Sequence, residues 1–201
     1  MGFAREDERV EKHAGIAPRD RILAAAGELF YRHGIRAVGV ESIAEAARTN
    51  KMTLYRHFAS KDELVAEYLR QSAKGADACW DRFEKAHPGD ALAQLRAWLQ
   101  EMAAHVAACD ERGCPLANAA VELPDKSHPA RRVIEEYKNA QHARLVGLCR
   151  EARLSDPDLL ADELNLLLEG ARVTAQSVGS AGLDARLIRM GEAVIALRQR
   201  S

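Results

Sequence analysis

No stretch of this chain approaches the ~18–20 uninterrupted apolar residues that a membrane-spanning helix requires, which excludes a helical membrane protein. Its first residues, MGFAREDERVEKHAG, are charged and lack the apolar centre of a secretory signal, so a cytoplasmic location is expected. The four cysteines, Cys79, Cys109, Cys114 and Cys149, form no C-x-x-C pair. That argues against a structural zinc site and leaves reduced thiols as the simplest reading, although Cys109 and Cys114 lie close enough in sequence for a redox pair to be conceivable. A phosphate-binding glycine loop is missing, as is any Ser/His/Asp spacing that a nucleophilic mechanism would use. A di-metal helical enzyme needs two E-x-x-H motifs and two further carboxylates. Only Glu84-x-x-His87 is present, abutting Pro88, while Asp125-x-x-His128 falls in a loop. Strand-like alternation, internal repeats and low-complexity tracts are absent too. Neither an enzyme nor a cofactor or metal is expected.

What is present is helical periodicity in a chain of 201 residues, 47% hydrophobic and 29% charged, a balance typical of globular proteins. The first 16 residues have little to bury and are expected to form a disordered arm. Pro18 suits a first helical position and Gly34 the residue past the end, with Ile22, Leu23, Ala26, Leu29 and Phe30 on one face between them. Short helices are expected over 40–47, with Ile43, Ala44 and Ala47 inward, and over 51–57, with Leu54 inward and Phe58 a turn on. Ser60-Lys61-Asp62-Glu63 is a capping box in which Ser60 caps free amides and Glu63 reaches back to the Ser60 backbone. A long helix should follow to Ala86, broken by His87-Pro88-Gly89. Further helices are expected from Asp90 to Cys109, from Gly113 to Leu123, from Ser127-His128-Pro129 to Leu154, from the cap Asp156-Pro157 to Val178, and after Gly182 to Arg198. The fold class is therefore all-α with nine helices, three short ones clustered at the front.

Charge is unevenly placed. Residues 17–61 hold eight bases against four acids, while the whole chain carries −1, so a small basic head sits on an acidic body. Such asymmetry suits a protein that touches a polyanion at one end. Helix two, the turn Arg48-Thr49-Asn50 and helix three are spaced as a helix-turn-helix that packs Ile43, Ala47, Leu54 and Phe58 into a small core. Thr49, Asn50, Lys51, Met52, Thr53, Tyr55, Arg56 and His57 are left around the outer side and start of helix three. Short polar groups, cations and rings are the side chains that base edges and phosphates call for.

The stretch GIRAVGVESIAEAARTNKMTLYRHFASKDELV, with Leu54-Tyr55-x-His57-Phe58 followed by Ser60-Lys61-x-x-Leu64, resembles the signature of the TetR family of regulators, and the likeness extends over residues 18–66. A weaker likeness, from Gly113-Cys114-Pro115-Leu116-Ala117-Asn118 through Glu122, is to a segment of some members' effector domains. The resemblance implies a three-helix, homeodomain-like DNA-binding head over 17–64 and a ligand-binding and dimerisation domain over 65–201. It implies groove contacts from Thr49, Asn50, Lys51, Met52 and Thr53, and phosphate or base contacts from Tyr55, Arg56 and His57. Lys61 would hold a phosphate on the first turn of helix four, and Val40 would touch a thymine methyl. Arg48 and Met52 stand where the family usually has glycine, and a side chain at position 48 must accept a left-handed backbone or tighten the turn.

A single reading helix covers few base pairs, so a homodimer on a palindromic operator is expected. Leucines wrap most of the way round helix eight, wider than one buried stripe requires. The expected pairing surface comprises Leu160, Leu164, Leu167, Leu168 and Ala171, with Ile188 and Ile195 of helix nine. The family logic further implies a small-molecule effector that releases a repressor from DNA, with helix four as the hinge. Candidate pocket residues are the aromatics Trp80, Phe83, Trp98 and Tyr137, with Met102, His105, Asn118, Glu122 and Gln141 adding polar or polarisable groups. Their small charge favours an apolar or aromatic effector. A helix-turn-helix protein without an effector is the rival, disfavoured because dimerisation alone needs fewer helices.

Overall fold

The computed structural model describes residues 16–108 and 112–199. The expected arm over 1–16, apart from an exposed Ile16, and Cys109 with most of its turn lie outside the described residues. Among the described residues nine helices follow one another: α1 Pro18–His33, α2 Val40–Ala46, α3 Lys51–His57, α4 Lys61–Ala86, α5 Ala91–Ala107, α6 Pro115–Glu122, α7 Pro129–Glu151, α8 Pro157–Val178 and α9 Leu183–Gln199.

Their ends follow local chemistry. Pro18, Pro115, Pro129 and Pro157 each open a helix, where a missing N–H costs nothing. Gly34 ends α1 at φ 85°, a conformation costly for any residue with a Cβ. The Ser60 Oγ accepts the Glu63 N–H at 3.0 Å, completing half of the expected box. The Glu63 carboxylate returns to the N–H of Ala59 at 2.8 Å, one residue earlier than expected. Asp156 departs from expectation as well. It makes no side-chain cap, stands at φ 47°, and turns its carboxylate to Arg198 at 2.8 Å. That ion pair ties the start of α8 to the end of α9.

Two apolar cores form. The first joins Ile22, Ala26 and Phe30 of α1, Ile43 of α2, Leu54 of α3, Phe58, and Leu64, Val65 and Leu69 of α4. It continues without a break into Leu116, Ala119 and Leu123 from α6 and its end, and Ala130, Val133 and Ile134 of α7. The head is therefore seated on the body through α6 and the start of α7 as well as through α4. The second core gathers Leu95 and Leu99 of α5, Leu145 and Cys149 of α7, Leu160, Leu164 and Leu168 of α8, and Leu187 and Ile195 of α9. Here α5 packs on α9, α4 on α7, and α8 between α7 and α9. Gly191 makes the α5–α9 contact possible, since a Cβ there would lie 2.5 Å from a Leu99 methyl.

Candidate nucleic-acid interface and effector cavity

The side of α3 that faces inward is fixed by Leu54 and by Phe58 just past its end, both buried. The opposite side stands in solvent: Met52 is 69% and Tyr55 43% exposed, and Arg56 and His57 are exposed beside them. A seven-residue helix with this much bare apolar and aromatic surface is not stabilised by it, so the surface is available to a partner. Arg48 takes the left-handed option, at φ 51°. With Thr49 donating its N–H to the Ala44 carbonyl at 2.9 Å, it turns the chain sharply from α2 into α3.

Several of the expected contact residues already have work within the head. Asn50 is the N-cap of α3, its Oδ1 accepting the Thr53 N–H at 2.9 Å, while the residue itself stays exposed at the start of the helix. Lys51 pairs with Glu41 at 2.6 Å. Their shared hydrogen bond holds the Glu41 carboxyl below and the Lys51 ammonium above their ordinary values. Both groups are fully exposed, so solvent screens the pair and a phosphate can replace the carboxylate. Val40 opens α2 and packs partly against the first core. Lys61, at the first position of α4, leans over the Phe30 ring at 6.0 Å. Burial there lowers its pKa against the pull of Asp62 and Glu122.

A cavity of about 580 Å³ opens between α4, α5, α6, α7 and α8. Seven of the nine expected pocket residues line it: Trp80, Phe83, Trp98, Met102, His105, Tyr137 and Gln141. The Trp80 and Trp98 rings stack 6.4 Å apart at 19°, and Phe83 meets Trp80 edge-on at 5.9 Å. Gln141 accepts the Trp80 indole N–H and donates to Asp77 at 3.0 Å, fixing both side chains. Sequence reasoning missed Tyr31, Cys114 and Arg172, which also line the wall. Arg172 carried a readable sign, standing three residues after Glu169 on one helix face, but it lay in a helix assigned to pairing.

Asn118 and Glu122 are not cavity residues, and the structure corrects both. Asn118 donates to the Arg112 carbonyl and lies against Gln176. Glu122, at the end of α6, accepts the N–H of Ile35 at 2.7 Å and of Arg36 at 3.3 Å, and faces Arg112 at 3.7 Å. It clasps the α1–α2 turn of the head. Tyr31 of α1 donates to the Gly113 carbonyl at 3.2 Å beside it. Because Cys114, Pro115 and Leu116 line the cavity, α6 touches the cavity at one end and the head at the other.

The expected pairing surface needs correction as well. Leu160, Leu164, Leu168 and Ile195 are buried in the subunit's own second core, and Leu167, Ala171 and Ile188 are half-buried against it. The bare apolar residues of α8 and α9 are instead Leu159, Leu166, Val173, Val178, Met190 and Leu197. No helix among the described residues is long and apolar enough to cross a membrane, and no cluster of metal-ligating side chains forms among them.

A three-helix head with an exposed third helix, carried on a larger helical body, is the architecture of a helix-turn-helix DNA-binding regulator. The sequence pattern of bacterial regulatory proteins of the tetR family matches residues 22–68, and that of the Tetracyclin repressor-like C-terminal domain matches residues 91–190. The chain belongs to the TetR family of transcriptional regulators, a class of DNA-binding proteins rather than enzymes. It is 29% identical over 168 residues to the regulator LmrA of Bacillus subtilis, covering 76% of this chain and 82% of that one. It is 27% identical over 180 residues to the repressor ComR of Escherichia coli, covering 82% of each. The fold of a TetR-family regulator from Streptomyces coelicolor superposes with a TM-score of 0.84 at 28% identity, over 90% of this chain and 95% of that one.

Proposed function

We propose that this protein is a cytoplasmic, homodimeric repressor that holds a palindromic operator with two copies of α3 and releases it when a small molecule fills the cavity. Residues 17–64 serve as the DNA-binding domain and 65–201 as the effector and dimerisation domain. The observation that carries the reading is the bare outer side of α3, with Tyr55, Arg56 and His57 exposed over a buried Leu54. Thr49, Asn50, Met52 and Thr53 stand at its groove end, Lys51 exchanges Glu41 for a phosphate, and Lys61 meets the backbone from the start of α4, where the helix dipole already favours an anion. Pairing through Leu166, Val173 and their exposed neighbours on α8 and α9 brings two heads to successive grooves, about 34 Å apart. Repression is favoured because relatives matched over most of their length include the repressor ComR; shorter matches, over 26% of this chain, are to both the repressor KstR2 of Mycobacterium tuberculosis and the activator FasR of Mycolicibacterium smegmatis.

Release requires that the effector bind the DNA-incompetent arrangement more tightly than the competent one. The bridge of α6 from cavity to head supports a route through Glu122, beside the expected hinge in α4. Selecting bound duplexes from a random pool, then repeating the binding with compounds that raise the melting temperature, tests the reading. A palindromic consensus and loss of binding with at least one stabilising compound are expected. Enrichment of no sequence, or stabilising compounds that never weaken DNA binding, would contradict it.

A further inference from the structure

Resting on the reading that the cavity takes an effector, we infer that this effector is a planar aromatic acid, its carboxylate held by Arg172 and Tyr137 and its ring set against the Trp80–Trp98 wall. Arg172 enters the cavity wall from α8 with its side chain only 20% exposed. One terminal nitrogen donates to Glu169 at 2.8 Å, while the other meets only the Met102 sulfur at 3.9 Å, a weak acceptor. Glu169 is not Arg172's alone, because Lys138 reaches the same oxygen at 2.6 Å. Two cations thus share one carboxylate. The remaining acid nearby, Asp77, is taken by Arg144 at 3.4 Å and by Gln141. This part of the wall is left with an excess positive charge and an unused guanidinium donor. A half-desolvated charge of that kind is stabilised by an anion entering the space it faces.

Tyr137 supplies the second donor. Its hydroxyl has no hydrogen-bond partner among the described residues, and burial pushes its pKa up to about 12, so it remains protonated and able to donate. The stacked Trp80 and Trp98 rings and Met102, which touches Arg172, line the same cavity and supply its apolar surface, while Arg144 lies over the Trp80 ring at 5.9 Å. A volume of about 580 Å³ admits a one- or two-ring acid. A neutral aromatic would satisfy the wall and leave Arg172 unmatched, whereas a cationic one would meet repulsion.

The test is calorimetric titration of the full-length protein with benzoate, 1-naphthoate and indole-3-acetate, each beside its uncharged methyl ester. At least one acid is expected to bind roughly tenfold or more tightly than its ester, the difference a charge-assisted hydrogen bond supplies. Arg172→Gln should weaken the acid far more than the ester and so remove that preference, Arg172→Lys should keep part of it, and Tyr137→Phe should weaken the acid more than the ester. Acid and ester binding equally well to the unaltered protein, a preference that survives Arg172→Gln, or no heat from any acid at millimolar concentration would each overturn the inference. Operator release is measured separately. An ester that binds and frees the operator as well as its acid would sink the acid preference but leave the effector reading standing. An acid that binds with the expected preference and never frees the operator would support the acid site and sink the effector reading.

Discussion

The Glu122 carboxylate, at the last residue of α6, accepts the backbone N–H of Ile35 at 2.7 Å across 87 positions of sequence. Ile35 is buried, so its N–H has no ready substitute in water. The same carboxylate reaches Arg36 and lies where a Cβ on Gly34 would press against it at 3.0 Å, so the α1–α2 turn fits closely around Glu122. Removing it with Glu122→Ala is expected to cost about 1–3 kcal/mol, the usual penalty of an orphaned buried donor. It should also speed hydrogen exchange at Ile35 and Arg36 more than elsewhere in the head. Unchanged protection at those two amides would show that Glu122 does not hold the turn.

On the proposed function, contacts of the head with DNA should divide into those that position and those that discriminate. Lys61→Ala is expected to weaken binding to every duplex alike and to flatten the log–log salt dependence by about one unit. Changes at Thr53 or Tyr55 should instead alter which sequences are enriched. A Lys61→Ala protein with unaltered affinity and salt slope would place that ammonium, already leaning over Phe30, outside the interface.

Leu166 is 70% exposed on α8, two residues from the fully packed Leu164. Leu166→Glu should leave helicity and melting of the isolated subunit nearly intact, convert the dimer to monomer in sedimentation, and lower specific DNA affinity toward the non-specific level. Leu164→Glu, by contrast, should unfold the body. If Leu166→Glu sediments as a dimer, the pairing surface lies elsewhere.

Stability should depend on acid through Glu169. Burial raises its pKa, but Arg172 and Lys138 outweigh that and hold it below its ordinary value of 4.5. Its carboxylate therefore stabilises the fold fully above the unfolded pKa, and that stabilisation is lost as pH falls through the lower folded value. Glu169→Gln should be less stable than the unaltered protein at pH 7, with the difference shrinking on acidification below about 4.5 in denaturant titrations. A difference independent of pH would assign the effect to packing instead.

Helix boundaries and the reading head were legible because their determinants are local. Ser60 and Glu63, Pro129, Pro157 and Gly34 act on residues within a turn of themselves. The apolar spacing of Leu54 and Phe58 dictates which side of α3 stays bare. The pocket aromatics were legible for a similar reason, since α4 and α5 carry Trp80 and Trp98 on faces that must meet. The errors lie where several partners were available. Leucines on every side of α8 announce two apolar neighbours without saying which is the subunit's own core, and Leu160 and Leu164 belong to that core rather than to an outer face. Glu122 takes its role from Ile35 and Arg36, far away in sequence, and Arg172 borders a cavity that α8 shares with α4, α5 and α7, and no spacing rule reaches that far.

The central claim, that α3 reads DNA in paired copies, is tested most directly by titrating the purified protein onto its selected duplex and measuring the mass of the complex in analytical ultracentrifugation. Two protomers on one palindromic duplex are expected, with Tyr55→Ala and His57→Ala together abolishing the complex while the free protein remains a folded dimer. A folded protein that stays monomeric at micromolar concentration and leaves duplex untouched at low salt would contradict it.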